Sequence, residues 1–88
     1  MSDNVQSVTQ EVAVEVERAM QIHRGMNSLH EAKAVIEEEL DEFWEQVKIN
    51  PKKLEPEDQK LRIGRLRNEL IQTAAMCVRA ILDLEVRP

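Results

Sequence analysis

Apolar residues recur along the chain at three- and four-residue steps, the spacing of one face of an α-helix. Val5, Val8, Val12, Val16, Ala19, Met20 and His23 form the first such stripe. It predicts a helix over about residues 5–24, begun by a capping box of Ser7 and Gln10 or by a cap nearer Asp3, with Gly25 as its stop. Ser28-Leu29-His30-Glu31 matches a capping box and opens a second helix over about 29–49, whose apolar positions are Val35, Ile36, Leu40, Phe43 and Val47. Asn50-Pro51 ends it, because a residue before proline is pushed out of the helical region.

Pro56 is placed to open a third helix, over about 57–84. Leu66, Leu70, Ile71, Ala74, Ala75, Cys77, Val78, Ile81 and Leu82 cover more than half of its circumference. A helix apolar on two sides requires partners on two sides. Gly64 marks a position where this helix would break if it breaks at all. The expectation is an all-α fold: one domain over 1–88, a three-helix protomer that assembles into an oligomeric bundle.

Composition agrees with that. Aromatic residues make up 2% of the 88 positions, so Ala, Val, Leu, Ile and Met must fill the interior. The net charge of -5 argues against a nucleic-acid polymer as partner. One cysteine excludes an intrachain disulfide, and no membrane-length apolar run is present, so a cytoplasmic protein without membrane association is expected.

The chemistry is concentrated in Glu37-Glu38-Glu39-Leu40-Asp41-Glu42. At about 100° per residue, Glu39 sits between Val35 at about -40° and Phe43 at about +40°, on the edge of the apolar face. Glu42 lies at the boundary and Glu38 faces solvent more. A carboxylate on an apolar face is costly unless paired, protonated or bound to metal. On the third helix Arg62, Arg65, Glu69, Gln72 and Met76 share one side, and Arg79 and Asp83 continue it. Carboxylate and amide oxygens suit Mg²⁺, and the arginines suit phosphate oxygens. Equally, Arg62, Arg65 and Arg67 would simply neutralise a solvated acidic face.

Glu38-Glu39-Leu40-Asp41-Glu42 followed by Glu69-Leu70-Ile71-Gln72 resembles the EExxE…ExxD arrangement of the MazG-like all-α nucleotide pyrophosphatases, over about two thirds of the chain. The resemblance implies a metal-dependent enzyme that cleaves nucleoside triphosphates to monophosphate and pyrophosphate with Mg²⁺ or Mn²⁺, in nucleotide-pool housecleaning. It implies a homo-oligomer, a tetramer rather than a dimer, with sites between subunits. Carried over by position, the resemblance implies Glu39, Glu42, Glu69 and Gln72 as metal ligands and Glu38 and Glu39 as catalytic carboxylates, with Glu38 either a further ligand or the group that orients the attacking water. Arg62, Arg65, Asp83 and Trp44 are candidates for substrate contact, Trp44 by stacking on a base or, alternatively, by packing against a neighbouring helix. Gln72 stands where the family has Asp; its amide oxygen is neutral and is no base. Asp83 is the candidate for supplying the missing charge. The competing class is a noncatalytic helical oligomer that binds nucleotides or a protein. His23 is expected in a core or interface, His30 at a polar edge, and Cys77 as a buried small apolar residue.

Overall fold

The computed structural model describes residues 2–88, and every regular element in it is helical. Helix α1 spans Val5–Ile22, α2 Leu29–Val47 and α3 Pro56–Asp83, with a short 3₁₀ turn at Pro51–Lys53 between the last two. Local signals set most of these ends. Asn4 caps α1: its side chain accepts from the Ser7 amide at 2.8 Å and Ser7 Oγ accepts from the Asn4 amide at 3.0 Å. Ser7 therefore closes the capping box from inside the helix rather than opening it. Ser28 Oγ accepts from the Glu31 amide at 3.0 Å and starts α2, and Pro56 occupies the first turn of α3. Gly64 does not interrupt α3.

α3 packs against both α1 and α2. The core between them is small: Val16, Ala19, Met26, Ala32, Ala75 and Met76, bordered by Val12, Val35, Ile36, Ala80 and Leu84. Arg67 fastens the start of the chain to α3, pairing with Asp3 at 2.6 Å and with Glu11. At the far end, Glu85 takes a left-handed conformation (φ 51°), and the Val86 amide donates to Ile81 O at 3.1 Å, closing α3 with a Schellman-type turn.

Two expectations give way here. Gly25 is not a left-handed helix stop. α1 ends at Ile22 with His23 extended, and no glycine has positive φ. The connection is shaped instead from α3, where Asp83 Oδ2 accepts from the Met26 amide at 2.9 Å and Arg79 Nη2 donates to Arg24 O at 3.0 Å. Cys77 is exposed, not buried. It lies on the outer face of α3 with Ile63, Leu70 and Ile81, which are 61%, 52% and 53% exposed and reach no core within the protomer. His23 is exposed in the protomer, so of its two expected places the core is excluded and an interface is not.

Candidate functional site

Glu39 and Glu42, three residues apart on α2, share a face that meets Glu69 of α3. One carboxylate oxygen from each lies within 4.8 Å of those of the other two. Glu39 and Glu69 are half-buried and Glu42 is exposed. The Oε2 atoms of Glu39 and Glu69 are shielded from water and have no hydrogen-bond partner among the described residues. Gln46, one turn beyond Glu42 on the same side of α2, has its Oε1 buried and unpartnered too.

Burial, which removes the water a charged carboxylate needs, together with the neighbouring Glu42 and Glu39 pushes the Glu69 pKa up to about 7. Glu39 is also raised, by burial first and then by the negative charge of Glu42. Burial and crowding thus oppose the charge on Glu69 and Glu39. Two kinds of partner relieve them: a proton on Glu69, which turns a repulsion into a donor–acceptor contact, or a cation among the oxygens. The donor set is all oxygen, as a hard divalent cation such as Mg²⁺ requires, and the unpartnered Oε2 atoms of Glu39 and Glu69 fit that role.

Beside the cluster is a cleft of about 400 Å³. α2 lines it with Glu31, Val35, Glu38 and Glu39, an i, i+4, i+7, i+8 face that carries the exposed carboxylate of Glu38 next to Glu39. α3 contributes Gln72, Met76 and Arg79, again one helical face. α1 and the connection after it add the polar residues Glu15, Arg18, His23 and Arg24. Arg18 is held bidentately by Glu15, at 2.6 and 2.9 Å, and this ion pair holds the Glu15 carboxyl below its usual range.

The remaining candidates fall in different places. Arg62 turns away from the cluster and caps α2: Nε donates to Gln46 O at 3.0 Å and Nη2 to Val47 O at 3.5 Å, satisfying carbonyls that the helix end leaves open. Arg65 is exposed, one turn before Glu69 on the same side of α3. Trp44 is 55% exposed and projects about 140° around α2 from Glu39, beside Leu40 on the outer face. Asp83 is 14 residues, about 21 Å of helix rise, beyond Glu69. Within the protomer it is too far along α3 to supply the charge that Gln72 lacks.

Sequence reasoning did not select Arg18, Arg24, Glu15 or Glu31. Only the Glu15–Arg18 spacing, i and i+3 beside the core residue Ala19, signalled that α1 places charges at its buried edge. Arg24 belongs to a connection whose path is set by contacts 55 and 57 residues away. No family model, curated protein or solved structure matches this chain.

Proposed function

We propose that the protein is a MazG-like, metal-dependent nucleoside triphosphate pyrophosphohydrolase that converts (d)NTP to (d)NMP and pyrophosphate, in nucleotide-pool housecleaning. The observation that carries this reading is the convergence of Glu39, Glu42 and Glu69 within 4.8 Å, with two of their oxygens buried and unpartnered. Glu39, Glu42 and Glu69 would hold Mg²⁺ or Mn²⁺, with Gln72 adding a neutral oxygen from the next turn of α3. Such an ion supplies charge neutralisation for the polyphosphate and acidifies a water. Glu38, exposed in the cleft beside Glu39, is the carboxylate positioned to take the proton of the attacking water. Gln72 leaves the donor set one negative charge short of the family pattern, which weakens metal binding.

The outward apolar positions support self-association: Leu70, Ile81 and Leu82 on α3, and Leu40 and Trp44 on α2, are each about half exposed in the protomer. A homo-oligomer, a tetramer in preference to a dimer by family likeness, would cover them. No helix among the described residues is long and apolar enough to cross a membrane.

The experiment is a panel of ribo- and deoxyribonucleoside triphosphates with Mg²⁺ or Mn²⁺, the products resolved by chromatography. Release of monophosphate and pyrophosphate, lost in Glu39→Gln, is the expected result. A second reading, a noncatalytic helical oligomer, is favoured by Gln72 and by the ability of a proton on Glu69 to relieve the cluster without metal. It predicts nucleotide or protein binding with no pyrophosphate release at saturating metal.

A further inference from the structure

Arg79 is 4% exposed, yet its charge is incompletely satisfied. Nη2 donates to Arg24 O at 3.0 Å, Nη1 approaches Met76 Sδ at 3.5 Å, and Asp83 Oδ2 is 3.8 Å from Nη2. Nε has no acceptor among the described residues. A buried guanidinium with an idle donor is costly, and this one lines the cleft. Arg24 and His23 line it too, and neither has an ion-pair partner among the described residues. The end of the cleft formed by the α1–α2 connection and Arg79 thus has unused donors, while the α2 wall carries the carboxylates Glu31, Glu38 and Glu39.

Along α3, Arg79 is ten residues from Glu69, about 15 Å of helix rise. Arg79 and Glu39 line the same cleft, so the buried guanidinium and the carboxylate cluster border one cavity. We propose that Arg24 and Arg79 form an anion subsite that receives the terminal phosphates of a polyphosphate whose other end lies at Glu39, Glu42 and Glu69. The identity of the ligand rests on the pyrophosphohydrolase reading; the subsite itself rests on the cleft and its unused donors. The role transfers phosphate recognition from Arg62, which is committed to the end of α2, to residues of the cleft.

The test is calorimetric titration of inorganic pyrophosphate into the full chain in the presence of EDTA, so that no divalent metal contributes. Saturable binding is expected. Arg24→Ala should weaken it about tenfold or more, the loss of a charge-assisted contact. Among the described residues Arg24 hydrogen-bonds through its backbone carbonyl and its side chain makes no hydrogen bond or ion pair, so this variant should fold normally. Arg79→Lys, checked for an unchanged melting profile, should weaken binding as well. Lys60→Ala, the same charge change on an exposed residue outside the cleft, should leave it within about twofold. Absence of pyrophosphate binding, or equal losses in Arg24→Ala and Lys60→Ala, would overturn the subsite. If Glu39-dependent nucleotide hydrolysis persists without metal-free pyrophosphate binding, the subsite falls and the enzyme reading stands. If Arg24-dependent binding occurs and no triphosphate is cleaved, the enzyme reading falls and the subsite stands.

Discussion

Glu39 and Glu69 meet across the α2–α3 interface, each with one carboxylate oxygen hidden from solvent and lacking a donor. Neither helix alone creates this situation. Glu39 is carried inward by its position between Val35 and Phe43, and Glu69 precedes the buried Ala75 and Met76 on α3. The pair is therefore an energetic liability of the apo protein, and removing it has a predictable sign.

Glu69→Gln should stabilise the metal-free protein, by on the order of 1 kcal/mol, because it deletes one of three crowded charges. On the metal-site reading Mg²⁺ should raise the melting temperature of the wild type, and the same change should abolish that rise together with the proposed pyrophosphate release. Thermal melts with and without Mg²⁺ check the first two effects. A wild type that Mg²⁺ does not stabilise would remove the metal-site reading.

pH acts through the same residue. The folded-state pKa of Glu69, about 7, is above its ordinary value of 4.5, so the folded state holds the proton more tightly than the unfolded one. Its contribution is fully present below about pH 4.5 and is lost as pH rises through 7. Metal-free stability should decline between pH 5 and 7.5, by on the order of 1 kcal/mol after solvent screening. Mg²⁺ affinity should rise over the same interval, since the ion displaces the proton. Urea unfolding and calorimetry at several pH values measure the two opposite trends, and Glu69→Gln should flatten both.

Asp83 separates a ligand from a structural residue. Asp83→Ala leaves the Met26 amide without its acceptor and Arg79 without its nearest counter-charge, and should cost about 1–3 kcal/mol. Mg²⁺ affinity, measured on the folded fraction, should not change. A large loss of metal binding would return Asp83 to the metal site.

Arg62→Ala should cost about 1 kcal/mol by freeing the carbonyls of Gln46 and Val47 at the end of α2. Its effect on pyrophosphate binding should be negligible, in contrast to Arg24→Ala. Denaturant unfolding together with the EDTA titration distinguishes the two arginines.

On the outer face, Leu70→Glu and Ile81→Glu alter side chains about half exposed in the protomer, so they should not reduce the helicity of the chain. They should lower the sedimentation coefficient if these residues lie between copies. An unchanged sedimentation coefficient would remove these residues from any contact between copies.

Much of the fold was legible because helix ends are decided locally. Ser28 with Glu31, and Pro56, were read directly, and the predicted bounds of α2 and α3 fall within two residues of those observed. The capping box of α1 was displaced by three residues, since Asn4 and Ser7 exchange hydrogen bonds in a pattern that Ser7 and Gln10 also spell. Periodicity placed Glu39 at the edge of an apolar face, and the structure puts it in the cluster. The contacts of Gly25, Arg62 and Asp83 were not legible for one reason: their partners lie 15 to 58 residues away, and periodicity carries no information about them. Cys77 has apolar neighbours in sequence, but on a helix apolar on both sides those neighbours do not say which side is covered.

The central position of α3 has a kinetic consequence. α2 and α3 are joined by a short connection and can dock as a helical hairpin from contacts close in sequence, whereas α1 reaches α3 through pairs such as Arg67 with Asp3 and Glu11, more than 50 residues apart. α1 is thus the element able to detach by sub-global opening while the hairpin persists, and its amides should exchange with deuterium first. Such an opening would dismantle the wall carrying Glu15 and Arg18 and leave Glu39, Glu42 and Glu69 together. The protein would alternate between a closed cleft and an open one through the breathing of a single helix, with the acidic cluster as its fixed point.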